Sequence, residues 1–315
     1  MYHYSCWPEM LVRSVVLLSF LLGGCRSDSS GYVEPKSGFA VDTGRVAVEG
    51  GSLYWEAAGA GAPVVFVHGG NLDRRMWDGQ FDTLRYHYRV IRYDARGFGR
   101  SSPADRPFRA PDDLAALLRA LRIPRATLIG LSMGGGIAID FALAYPDMVS
   151  RLVLAAPSVS GGDWPDDTDT LWLTKARAAF ARGDSIGLAL AWLESDYIRT
   201  ALRTPETTAR LREILVDNAG HLMQKARDQN LEREGSLPAA DRIAELQMPT
   251  LLLVGSMDTR MLLAMANYVA THAPHVQRVD FPGVGHMINL EAEEGFNRAI
   301  LAFLGRPCPP NDACY

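Results

Sequence analysis

The chain has 315 residues, of which 48% are hydrophobic and 22% charged, enough apolar side chain for a sizeable buried core. The formal net charge is −4 and no basic block interrupts the sequence, which excludes the phosphate-neutralising surface that nucleic-acid binding requires. The seven histidines and four cysteines fall into no metal-ligand spacing, and neither a repeat nor a long low-complexity tract is present.

From Met10 the chain carries one positive charge, Arg13, then an apolar run, then small residues up to Cys25. This is a secretory signal layout, and the run is too short to span a bilayer. Leu22-Gly23-Gly24-Cys25 resembles the lipobox of bacterial lipoproteins. That resemblance implies cleavage before Cys25, acylation of Cys25 and a membrane anchor on the bacterial cell envelope. An ordinary signal peptide with Cys25 near its cut is the plainer alternative. Glu9 and the aromatic residues around it are foreign to a signal start, which makes Met10 a second candidate initiator. Residues 1–24 are thus read as signal and 25–44, rich in Ser, Gly, Asp and Pro, as a tether.

β-type segments follow. Arg45–Val48 and Ser52–Ala57 flank Glu49-Gly50-Gly51, a hairpin signal. Pro63–Val67 is almost wholly apolar, as expected of a strand buried on both faces, and ends at His68-Gly69-Gly70. Strands and helices then alternate: strand Arg89–Tyr93, helix Pro111–Leu121, strand Ala126–Gly130, helix Gly134–Ala144 and strand Arg151–Ala155. Residues 159–240 break the rhythm with helical patterns alone and read as an inserted cap. The alternation resumes with strand Pro249–Gly255, helix Met261–Ala273, strand Val276–Phe281 and helix Glu291–Leu304. The expected organisation is an α/β core from 45–158 and 241–306, with a mainly parallel sheet covered on both faces and a helical cap between the halves. In the tail, 307–315, Cys308 and Cys314 bracket five residues. In an oxidising compartment they can pair as a disulfide; the alternative is two exposed thiols.

Chemistry concentrates in three loops. Gly130-Leu131-Ser132-Met133-Gly134 fits Gly-x-Ser-x-Gly, which sets a serine on a sharp strand-to-helix turn. A serine hydroxyl needs a base to become a nucleophile, and histidine has the suitable pKa. His286, in Gly283-Val284-Gly285-His286, follows the last strand; His87, His221, His272 and His275 are placed for surface or packing roles, and His68 for shaping its own loop. The base needs an acid to fix its tautomer, and Asp258 follows the strand ending at Gly255. Asp163 is the rival acid. Ser132, Asp258 and His286 lie in loops at the carboxyl ends of strands, which converge on one sheet edge. The backbone N–H of Met133 and that of Gly70 are the candidate oxyanion donors.

Five ordered segments give the chain a wider resemblance: His68-Gly69-Gly70 with Trp77, Asp94–Ser101, Gly130–Gly134, Gly255–Asp258, and Gly285-His286 with Glu291 beyond. From about Arg45 to Leu304 the sequence resembles the α/β-hydrolase superfamily. The resemblance implies a doubly wound, mostly parallel eight-stranded sheet with a lid after the sixth strand, and no cofactor or metal. Asp94 and Arg96 are expected to anchor their own segment. A carboxylic ester of a small, moderately hydrophobic molecule is the expected substrate, because the cap carries Trp164, Trp172, Trp192, Tyr197 and several leucines. The same triad serves lactonases, carbon–carbon bond hydrolases and cofactor-free perhydrolases, and a tethered binding module with a silent site is the non-enzymatic alternative.

Overall fold

The computed structural model describes residues 40–166, 170–227, 231–233, 235 and 237–305. The signal and lipobox segment with Cys25, most of the tether, and the tail with Cys308 and Cys314 lie outside the described residues.

Eight strands form one sheet: β1 (Asp42–Val48), β2 (Gly51–Ala58), β3 (Pro63–Val67), β4 (Arg89–Tyr93), β5 (Ala126–Leu131), β6 (Val149–Ala155), β7 (Thr250–Gly255) and β8 (Val276–Phe281). Their order is β1-β2-β4-β3-β5-β6-β7-β8. β1 and β2 form an antiparallel hairpin, and β2 runs antiparallel to β4; every other pairing is parallel. The expected doubly wound, mostly parallel eight-stranded sheet is therefore present. The tether was expected to reach residue 44, but β1 starts at Asp42, because residues 42–44 pair with Glu56, Ala57 and Trp55 across the hairpin.

Among the described residues, ten α-helices accompany the sheet. α1 (Asp78–Leu84), α2 (Ala110–Ala120), α3 (Met133–Ala144), α8 (Arg260–His272), α9 (Ile288–Glu291) and α10 (Glu293–Leu304) belong to the core. A final helix was expected from Glu291 to Leu304; the chain bends at Ala292, which takes a φ of −137°, so α10 starts at Glu293 and Glu291 ends the separate, short α9. β3, β5, β6 and β7 are almost entirely buried, and this explains their predominantly apolar sequences. α3 is likewise apolar around most of its circumference, with Ile137, Ala138, Ile139 and Phe141 buried.

The cap supplies α4 (Thr170–Ala181), α5 (Ser185–Ala191), α6 (Pro205–Asp217) and α7 (Ala219–Arg227), with short 3-10 turns at Trp192–Glu194 and Arg199–Ala201. Local chemistry starts these helices. Asp184 caps α5 by accepting from the Gly187 N–H, and Thr204 caps α6 by accepting from the Thr207 N–H, with Pro205 at the first helical position. The cap was expected to end at residue 240, but a 3-10 helix runs unbroken from Ala239 to Glu245 and spans that boundary. Ile243 and Leu246 are buried there, continuous with the core cluster. The cap is fastened to the core at the α6–α7 junction. Buried Asn218 donates through Nδ2 to Asp73 Oδ2 at 2.8 Å and accepts from the Gly99 N–H at 2.6 Å.

Candidate active site

The parallel register aligns the carboxyl ends of the central strands. Val67 sits beside Gly130, Leu131 beside Ala155, and Gly255 beside Phe281. The sheet order reverses between β3 and β5, so their loops open on a shared crevice, the place where α/β sheets hold ligands.

Ser132 occupies the turn from β5 into α3 with φ 56° and ψ −119°, a conformation that costs an L-residue about 1–3 kcal/mol. The surroundings hold it there. Its N–H donates to Ala155 O at 3.0 Å, while its carbonyl accepts from the N–H groups of Gly136 (3.0 Å) and Ser158 (3.1 Å). The two motif glycines are required by space. A Cβ on Gly130 would lie 2.2 Å from Gly134 O, and one on Gly134 would lie 2.1 Å from Val67 O. The elbow is thus pressed against both its own helix and the neighbouring strand.

His286 is buried after β8, and its Nδ1–H donates to Oδ2 of the equally buried Asp258 at 3.0 Å. Asp258 Oδ1 accepts from the Thr259 N–H at 2.7 Å, which fixes the carboxylate plane. With Nδ1 carrying its proton toward a carboxylate, Nε2 is the basic nitrogen. The two loops are stitched together: Met257 N–H donates to Val284 O (2.8 Å), Ser256 N–H to Phe281 O (3.1 Å), and Gly283 N–H to Ser256 Oγ (2.9 Å). The rival acid Asp163 is exposed, and the carboxylate bonded to His286 is that of Asp258.

The oxyanion candidates also meet. A Cβ on Gly70 would come within 3.8 Å of the Met133 side chain. Met133 is the first residue of α3, so its N–H has no acceptor within the helix. The Gly70 loop is held by buried His68, whose Nδ1–H donates to Gly69 O (2.8 Å) while Nε2 accepts from the Ala95 N–H (2.9 Å). Both ring nitrogens are occupied by backbone, and burial lowers the pKa of His68 below the usual histidine value. His68 is therefore a neutral structural strut, as expected. Asp94 and Arg96 also anchor their segment. Asp94 accepts from Arg74 through both backbone and guanidinium (2.9 Å each) and from the Arg100 N–H (2.8 Å). Arg96 forms a buried two-pronged pair with Asp113 at 2.8 and 2.6 Å. Of the remaining histidines, His87, His272 and His275 are exposed and His221 lines a separate cleft between cap and core.

An open cleft of about 690 Å³ lies under the cap beside Asn71, the residue after Gly70. Trp172, Leu188, Trp192 and Leu222 give it apolar walls, and Lys225 is its charged member. Trp192 stacks on Tyr197, whose ring meets His286 edge-on at 5.4 Å between centroids. Sequence reasoning placed Trp192 and Tyr197 in the cap without showing that Tyr197 reaches the histidine. It also left Glu291 without a role, although its carboxylate accepts from the N–H groups on both sides of His286. The spacing of Glu291 five residues after the histidine was the available signal.

The chain belongs to the alpha/beta hydrolase fold family, whose model matches residues 62–293. Its relatives are hydrolases of more than one kind. It is 27% identical over 267 residues to the pimeloyl-[acyl-carrier protein] methyl ester esterase of Nitrosomonas europaea, covering 78% of this chain and 96% of that enzyme. It is 25% identical over 251 residues to 3-oxoadipate enol-lactonase 2 of Acinetobacter baylyi, covering 77% and 88% respectively. Among solved structures, a thermophilic esterase from Thermogutta terrifontis superposes with a TM-score of 0.69 at 30% identity, over 84% of this chain and 98% of that one.

Proposed function

We propose that the protein is a serine hydrolase that cleaves a carboxylic ester of a small, moderately hydrophobic molecule through an acyl-enzyme. The observation that carries this reading is a strained Ser132 at the β5–α3 elbow on the same sheet edge as a buried His286–Asp258 pair. Ser132 Oγ attacks the ester carbonyl as His286 Nε2 takes its proton. The N–H groups of Gly70 and Met133 receive the charge that develops on the carbonyl oxygen. Such donors act strongly because they are oriented before the reaction, each worth about 10²–10³ in rate. His286 returns the proton to the leaving alcohol. Water, activated by the same imidazole, then releases the acid. Asp258 holds the imidazole in the required tautomer and stabilises its cation. The apolar walls of the cleft beside Asn71 support an aliphatic or aromatic group on one side of the ester.

A cyclic ester would be opened by the same steps with both products on one molecule, and the likeness to the Acinetobacter enol-lactonase favours this as the second reading. We further propose that the chain is exported and anchored through Cys25, a reading supported by the Leu22–Cys25 sequence.

The test is labelling of the purified protein by a fluorescent fluorophosphonate beside Ser132→Ala. Labelling of the parent alone is expected, together with turnover of short-chain p-nitrophenyl esters. A Ser132→Ala protein that labels or turns over like the parent would overturn the assignment.

A further inference from the structure

We infer that Glu291 is a positioning residue for the general base and ties the seating of the cap to the orientation of His286; this rests on the serine-hydrolase reading above. Glu291 ends α9, and its carboxylate is shared three ways. Oε2 accepts from the Gly285 N–H at 3.0 Å. Oε1 accepts from the Met287 N–H at 3.2 Å and from the Thr200 hydroxyl of the cap at 3.1 Å. The peptide groups on either side of His286 are thus held by one side chain.

The cap segment is packed tightly at this point. A Cβ on Gly285 would lie 2.0 Å from Thr200 Oγ1, so glycine is what lets the cap approach the histidine loop. Three residues before Thr200, the Tyr197 ring rests edge-on against the imidazole. Asp258 therefore fixes the imidazole through its ring nitrogen, and Glu291 fixes the backbone from which the imidazole projects. Three hydrogen bonds converging on one carboxylate from two segments suit a clamp. A misplacement of a catalytic group by about 1 Å can cost on the order of 10² in rate.

The plainer role for Glu291 is to cap the short helix α9, which would affect folding and leave the chemistry of folded molecules unchanged. The two roles separate in kinetics. Parent, Ser132→Ala, Glu291→Gln, Glu291→Ala, Thr200→Val and the Thr200→Val/Glu291→Ala double variant are compared for kcat and KM on p-nitrophenyl butyrate, for fluorophosphonate labelling rate, and for Tm. Glu291→Gln replaces one acceptor oxygen by a donor, so at least one peptide N–H beside His286 loses its partner. In both Glu291 variants kcat and labelling rate are expected to fall by about 10- to 100-fold, with KM held within about threefold. Thr200→Val alone is expected to lower kcat several-fold, and to add nothing in the Glu291→Ala background because its partner is already gone. Parental kcat per folded Glu291 variant, with only Tm lowered, would reduce the residue to a helix cap and overturn the inference. A silent Thr200→Val, or additive losses in the double variant, would overturn the tie to the cap. If the Glu291 variants do not fold, Thr200→Val decides through the same split of kcat from KM. An unlabelled but folded parent would overturn the serine-hydrolase reading itself, whereas a labelled parent with Glu291 variants labelling at its rate would overturn the clamp alone.

Discussion

At the scale of single residues, the site contrasts His286, the proposed base, with His68, which braces the backbone. His286 Nδ1 is bonded to Asp258, which leaves Nε2 as its basic nitrogen. His68 has both nitrogens committed to backbone, one as donor and one as acceptor, and cannot take a proton without losing the Ala95 bond. Burial is the largest cause of its lowered pKa, relative to an ordinary value of 6.5. The sign follows. The unfolded chain takes up a proton at this position below about pH 6.5, whereas the folded chain resists it, so stability from His68 is complete above that pH and is lost as pH falls. The slope from this one group is at most about 1.4 kcal/mol per pH unit. Urea unfolding at pH 7.5 and 5.5 should show the parent losing stability. His68→Gln should be less stable at pH 7.5 but lose distinctly less on acidification; an equal loss in both would mean that another group sets the slope.

At the scale of elements, the elbow depends on how closely β5, α3 and β3 approach. A Cβ on Gly134 would overlap the carbonyls of both Val67 and His68, at 2.1 and 2.6 Å. Those carbonyls belong to β3 and its loop, so the clash cannot be relieved by turning a side chain. Gly134→Ala should therefore destabilise by about 3 kcal/mol or more and abolish fluorophosphonate labelling. Gly220, at the start of α7, meets nothing within 4 Å, and Gly220→Ala should stabilise by up to about 1 kcal/mol. Similar behaviour of the two variants in thermal unfolding would show that the strand–helix approach is not the constraint. The alternating strands were readable from sequence because buried parallel strands are continuous apolar runs. The short α1 and α9 were not, since each is too brief to show a helical period, and their positions depend on packing against neighbours.

At the scale of the whole molecule, the cap is a structural partner of the Gly70 loop as well as a roof. Asn218 joins Asp73, which follows the Gly70 loop, to Gly99 in the segment that His68 also braces. Arg75 adds an ion pair to Asp217 at 2.7 Å, and Arg210 pairs with Asp78 at 2.6 Å, but these lie at the surface and contribute little. Asn218→Ala should leave the Gly99 N–H without its partner and Asp73 Oδ2 bonded to Arg75 alone, at a cost of about 1–2 kcal/mol. Urea unfolding measures this loss, and a cost below about 0.5 kcal/mol would show that the cap is seated by apolar contact alone.

The proposed triad was legible in the sequence because each member follows a strand, for Ser132 and Asp258 an almost wholly apolar one, and parallel strands deliver their carboxyl ends to one edge. Ser132 lies more than a hundred residues before Asp258 and His286, yet topology alone brings their loops to one edge. The Gly70–Met133 approach was legible for the same reason, since β3 and β5 are neighbours in this sheet order. The sequence ranked Asp258 above Asp163 as the acid, and the tertiary structure leaves Asp163 exposed and buries Asp258 against the ring. Tertiary structure alone decided that Glu291 reaches back around His286 to Thr200, and that Tyr197 and Asn218 connect the cap to the site. Local sequence records the period and turn chemistry of each element, whereas a side-chain contact between distant segments depends on how those elements pack, which no local pattern encodes.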